Sequence, residues 1–183
     1  LIISNIHERK FPFSAAIVGA LIDTLATKND LLWPIHLWPA MHFNRHLSIG
    51  AQGGHGPIRY TVEAYEPGRS ICFYIHRPPC LKNALHRFEV SSETDGQSTL
   101  RHILELDFSG RALLSWPLVW KPLHDACIED ALTCAQVALG LAPTIRPWSF
   151  WVRSLRLLIS GGKAPAQKYS INDASTIKER IIP

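Results

Sequence analysis

Apolar and polar positions alternate with period two along several stretches of this chain, and in others they recur at helical spacing. Leu1–Phe11 reads as a first strand. Pro12 follows, and Ser14 stands where an N-cap would open a helix running to about Ala26. Residues 29–44 are irregular: Pro34 and Pro39 interrupt helix, while Trp33, Ile35, Leu37, Trp38, Met41 and Phe43 demand burial. His46–Ala51 reads as a strand, Gly53–Pro57 as a turn, and Ile58–Tyr65 and Ser70–Arg77 as strands joined by the tight turn Glu66-Pro67-Gly68-Arg69. Beyond Pro78-Pro79, Ala84–Glu93 and Ser98–Ser109 flank Thr94-Asp95-Gly96-Gln97, whose Asp-Gly pair is a hairpin signal.

After Gly110 the period lengthens. Ala112–Gly140 reads as one long helix, kinked early by Pro117 and Pro122 and stopped by Gly140. Lys121, Asp125, Glu129 and Gln136 mark a polar face, and Trp120, Leu123, Cys127, Ala131, Cys134 and Ala138 the opposite, buried one. Strand, helix, successive antiparallel strands and a long C-terminal helix make an α+β plan in which the helix covers the apolar face of the sheet.

Alternation assigns the faces. Tyr60 and Val62 turn inward, as do Ile71, Phe73 and Ile75, then His86, Phe88 and Val90, and finally Leu100, His102, Leu104, Leu106 and Phe108. The hairpin thus sets His86 and His102 on neighbouring strands of one apolar face. Two inward imidazoles are candidate catalytic acid and base groups, because imidazole titrates near neutrality and burial keeps it neutral. His124 and Asp130 on the long helix are further candidates for that set. The alternative is that each histidine bonds a neighbour or lines a pocket rim. Trp33, Trp38, Trp116 and Trp120 form either a pocket mouth or core.

Leu32-Trp33-Pro34 leading to Trp38-Pro39, the run Gly56-Pro57-Ile58-Arg59-Tyr60-Thr61-Val62, Tyr65-Glu66-Pro67-Gly68-Arg69, and Pro122-Leu123-His124-Asp125 opening the last helix carry a resemblance. With the order of elements, they resemble the START-like SRPBCC (helix-grip) superfamily, which includes polyketide cyclase/dehydrase and lipid-transport types. The resemblance covers about residues 1–140. It implies a helix-grip fold, a curved antiparallel sheet wrapped around the long helix and enclosing an apolar cavity, with no universal catalytic set. Residues 141–160 are then an added amphipathic basic helix and 161–183 a flexible tail. The expected ligand-binding residues are Trp33, Trp38, Tyr60, Phe73, Phe88, Leu104, Trp120, His124 and Cys127. The expected function is binding of a hydrophobic small molecule, either by a cyclase/dehydrase-like enzyme working through shape and histidine acid–base groups or by a non-catalytic lipid or quinone carrier.

Composition narrows this reading. With 183 residues, 46% hydrophobic and a net charge of +4, the chain is long enough for a core and too apolar for disorder. Residues 1–140 carry 12 basic and 13 acidic side chains, whereas 141–183 carry 7 and 2. A body near neutrality argues against a nucleic-acid groove. In Ile145–Ile159, Trp148, Trp151, Val152, Leu155, Leu158 and Ile159 form a stripe with Arg153 and Arg156 beside it. Such a helix either lies in a membrane interface or packs on the body, at a cavity end or a partner contact. The oligomeric state stays open.

The remaining chemistry is sparse. Cys72, Cys80, Cys127 and Cys134 have neither disulfide nor zinc spacing, so free thiols and a cytoplasmic setting, possible membrane contact aside, are expected. Arg9-Lys10 before the apolar run Phe13–Ile22 imitates a leader but lacks its cleavage site. Gly53-Gly54-His55-Gly56 lacks the lysine of a phosphate loop. His42 and His46 stand four apart where a turn leads into a strand, and at strand rise that spacing is too wide for one ion, so neither metal nor cofactor is expected.

Overall fold

A computed structural model describes residues 2–107, 110, 112–162 and 166–169. Seven antiparallel strands form one sheet: β1 (Ile2–Phe11), β2 (His42–Phe43), β3 (Gln52–His55), β4 (Ile58–Glu66), β5 (Ser70–Arg77), β6 (Lys82–Ser92) and β7 (Ser98–Asp107). Their order is β1-β7-β6-β5-β4-β3-β2, so only β1 leaves its place in the succession and closes the sheet beside β7. The expected inward set is buried on one face, from Tyr60 and Val62 through Ile71, Phe73 and Phe88 to Leu100, His102, Leu104 and Leu106. Phe108 lies outside the described residues.

Both foreseen turns form. Gly68 has φ +69° in the Glu66–Arg69 turn, where the Arg69 amide donates to the Glu66 carbonyl. Asp95 and Gly96 both take positive φ, the backbone of a primed hairpin turn.

Two expected elements differ. The helix from Ser14 shrinks to α1 (Ala15–Gly19), followed by a 3-10 turn at Ile22–Thr24. The chain bends because Asp23 Oδ1 accepts from the Tyr65 hydroxyl and the Gly68 amide, while Asp30 accepts from the amides of Ala26, Leu32 and Trp33. That bend buries Val18, Leu21, Ile22 and Leu25 together. The strand expected at His46–Ala51 is instead a turn, with Gly50 at φ +80° and the Ala51 amide on the Ser48 carbonyl. Its pairing role passes to Gln52–His55, in the segment read as a turn. Gly53 and Gly54 serve close backbone approach there, since a Cβ on Gly53 would fall 2.2 Å from the His42 carbonyl oxygen.

The long helix is real and its kink is specific. α2 (Ala112–Ser115) passes through a π-helical turn at Trp116–Trp120 into α3 (Lys121–Ala138). Pro122 has no N–H for the Leu118 carbonyl. Trp151 Nε1 of α4 (Phe150–Ile159) donates to that oxygen at 2.7 Å. Ser149 caps α4 by accepting from the Val152 amide. Among the described residues no helix is long and apolar enough to cross a membrane, and all four cysteines are free thiols.

Candidate functional site

The sheet face, α3, the segment 33–39 and α4 enclose an apolar cavity of about 500 Å³, a size suited to a small organic molecule. Trp33, Trp38, Leu104, Trp120, His124 and Cys127 line it, together with His86, Trp116, Ile75 and Leu123. Tyr60, Phe73 and Phe88 sit one layer beneath: Tyr60 packs on Phe73 at 5.0 Å between ring centroids, and Phe88 on His102 at 4.7 Å. His55 and Arg156 also reach the cavity. Sequence reasoning missed His55 because the glycines around it read as a turn.

Polar groups on the walls gather at few points. His86 pairs across β6–β7 with Leu104, and Phe88 with His102, so the two histidines are diagonal neighbours, their ring centroids 4.3 Å apart. α3 lowers His124 onto them, 4.9 Å from His102 and 6.1 Å from His86. His86 is 4% exposed and His102 fully buried, behind the cavity wall. Among the described residues, His86 Nε2 and both ring nitrogens of His102 and of His124 have no hydrogen-bond partner. Burial holds His86 and His102 well below the ordinary imidazole value and lowers His124, with neighbouring histidines adding to the effect. His55 is pushed down by burial to about 4. These imidazoles are therefore neutral.

The polar face of α3 does not meet solvent as a free surface. Asn5, His7 and Arg9 point inward from β1 and meet it. Asn5 Nδ2 donates to Asp125 at 3.0 Å, and His7 bridges Asp125 at 3.1 Å and Glu129 at 2.8 Å. Arg9 bonds Glu129 at 2.8 Å and Gln136 at 2.8 Å. Burial opposes a charge on His7, but the hydrogen bonds to Asp125 and Glu129 prevail and raise its pKa. Asp125 is likewise desolvated, yet His124, His7 and Lys121 hold its carboxyl well below the usual range.

α4 packs on the body through a clasp. The Asp130 carboxylate, 1% exposed, accepts from Trp38 Nε1 at 2.7 Å and Trp148 Nε1 at 2.9 Å. Gln167 and the Tyr169 hydroxyl complete its shell, so 166–169 of the expected tail also bond here; most of the rest of that tail lies outside the described residues. Arg156, placed beside the apolar stripe by sequence, is instead buried. Its guanidinium lies 4.0 Å over the Trp38 ring and 4.6 Å over Trp148, and it donates to the Leu37 carbonyl. Cation–π attraction and the Asp130 charge hold it there. Trp148 is buried with it, whereas Arg153 is exposed and Trp151 half-exposed.

Solved structures share this architecture. One is a norcoclaurine synthase point mutant from Thalictrum flavum in complex with a transition-state analogue, with TM-score 0.53, 12% identity, and 72% of this chain and 95% of that one covered. The helix-grip fold is thereby shown. CalU16 from Micromonospora echinospora aligns over 97% of this chain and 81% of its own, with TM-score 0.53 and 13% identity. Ara h 8.0201 aligns over 72% and 95% respectively, with TM-score 0.50 and 12% identity. In this helix-grip chain the cavity lies between the sheet and the long helix. No protein-family model and no curated sequence matches the chain.

Proposed function

We propose that this helix-grip protein binds an apolar, ring-bearing small molecule in the cavity, with the molecule's polar end set against His86 and His124. The supporting observation is the lining itself: tryptophan and aliphatic walls with imidazoles collected toward the sheet. An apolar wall supplies affinity by burial, and a few fixed polar groups supply orientation. The catalytic form of this reading is a cyclase or dehydrase-like reaction. Holding a flexible chain in one reactive conformer lowers the barrier, and the reacting carbonyl would lie at the imidazole end.

Titration with the fluorescent probe 1-anilinonaphthalene-8-sulfonate tests the binding reading. Cys127→Phe places a ring in the cavity and is expected to weaken probe binding at least tenfold while the circular dichroism spectrum stays unchanged. Equal binding by both proteins overturns the cavity as the binding site. Native mass spectrometry of protein from its own cells then identifies what co-purifies.

One observation favours a second reading, a carrier that touches membrane. α4 exposes Phe150 (84%), Leu158 (79%) and Ile159 (63%), and Trp151 ties it to the π-helical turn, where Leu118 is also exposed, as is Leu114 of α2 before it. Sedimentation with anionic liposomes, lost in the double variant Phe150→Ser with Leu158→Ser, supports that reading. Sedimentation unaffected by the double variant, or none by either protein, removes it.

A further inference from the structure

The ligand-binding reading uses His86 and His124 and gives His102 nothing to do. His102 is fully buried, and neither ring nitrogen has a partner among the described residues. A buried polar atom without a partner costs stability, and His86 Nε2 and both ring nitrogens of His124 add to that cost beside it. No organic ligand reaches His102 from the cavity, because it does not line the cavity wall. An ion bound among the three rings does reach it.

We infer that His86, His102 and His124 form a tri-imidazole site for a divalent transition-metal ion of the zinc class. One ring nitrogen from each residue lies within 4.8 Å of the other two. In a tetrahedral zinc site, with metal–nitrogen bonds of about 2.0–2.1 Å, neighbouring nitrogens stand about 3.3 Å apart. Small movements of three side chains close that difference, and none of them must first break a hydrogen bond at the unpartnered atoms. Two ligands come from paired strands of a sheet and the third from a packed helix, so the backbone is rigid on all sides. The rings are neutral, the form in which an imidazole nitrogen donates its lone pair.

The donor set selects the ion. Three imidazoles without a carboxylate suit zinc, cobalt, copper or ferrous iron and disfavour magnesium and calcium, which take oxygen ligands. Three protein ligands leave a fourth position for a further ligand, and two of the three residues, His86 and His124, also border the cavity. The bound ion brings two positive charges into an apolar space with neutral ligands. That imbalance favours an organic ligand whose polar end is an anionic or readily ionised oxygen, such as a carboxylate, phenolate or enolate. The ligand class rests on the cavity reading, whereas ion binding stands on the three side chains alone.

Metal-stripped full-length protein, titrated with Co(II) as a spectroscopic probe for zinc, tests the inference. One equivalent is expected to bind, giving the intense visible absorption of four-coordinate Co(II), and zinc should displace it. His86→Phe, His102→Leu and His124→Phe should each weaken binding more than about 100-fold, beyond the loss produced by removing an orienting neighbour. X-ray absorption of the zinc-loaded wild type keeps the test decisive where a variant fails to fold: three imidazoles at about 2.0–2.1 Å are expected. No uptake, a six-coordinate spectrum, sulfur ligation, or binding unchanged in folded variants overturns the site. Probe binding to the metal-stripped protein separates the two proposals, because it persists if only the metal site is wrong.

Discussion

Acidification in the presence of a chelator should destabilise this protein through imidazoles that the fold keeps neutral, and His102 is the sharpest case. Its pKa is lowered by burial, with His86 and His124 adding to the effect. In the unfolded chain a histidine titrates near 6.5 and is about nine-tenths protonated at about pH 5.5. The unfolded state therefore binds more protons, and stability falls as pH drops below that value. Between about pH 7.5 and about pH 5.5 the loss is roughly 1 kcal/mol for each histidine that remains neutral in the folded state. Asp30 works in the opposite direction, because burial raises its carboxyl to about 6 and the folded protein takes up that proton first. His7 also works in the opposite direction, because its hydrogen bonds to Asp125 and Glu129 raise its pKa and the folded protein takes up that proton first. Both contributions are common to wild type and variant, and they cancel in a difference. Urea unfolding across the window should show wild type losing about 1 kcal/mol more than His102→Leu, whatever the variant's own stability. Parallel pH curves for the two proteins refute the argument, because they mean that His102 charges in the folded state.

Three further expectations follow from packing and charge. Asp130→Ala leaves two indole N–H groups, an amide and a phenol without their shared acceptor; it should cost about 3 kcal/mol in urea unfolding and open the chain beyond residue 140 to limited proteolysis. His7 should titrate above 6.5 by NMR, and the stability it contributes should be complete below that value and decline as pH rises through its folded-state pKa; a midpoint at or below 6.5 contradicts the Asp125–His7–Glu129 bridge. Gly19→Ala puts a methyl group 1.8 Å from the Gly68 carbonyl oxygen, so separation of α1 from the turn should lower stability by about 3 kcal/mol, measurable as a fall in Tm.

Much of the fold was legible from period alone. β5 runs over the expected Ser70–Arg77, and the inward faces of β4 through β7 match the alternation of their sequences. A strand's faces follow from its own backbone, so Phe73 and Leu100 reveal their side without reference to any partner. Short, glycine-rich stretches carried no such signal. Gly53-Gly54 read as a turn, yet those glycines exist because neighbouring strands leave no room for a Cβ. α1 likewise ended early through contacts of Asp23 with a turn more than 40 residues away.

The sequence by itself determined that a sheet with one apolar face meets a long, proline-kinked helix, and that His86 and His102 stand together on that face. Only the tertiary structure decided how the helix is rotated. That rotation carries His124 onto the other two histidines and turns Asp125 and Glu129 toward Asn5, His7 and Arg9 instead of toward water. It also decided that Arg156 lies between Trp38 and Trp148. The physical reason is the range of the interactions. Periodicity is written by bonds between near neighbours, whereas His124 with His102, Asp125 with Asn5, and Arg156 with Trp38 join side chains more than 20 residues apart. Such pairings are selected by the joint packing of the whole core, which no local window of sequence contains.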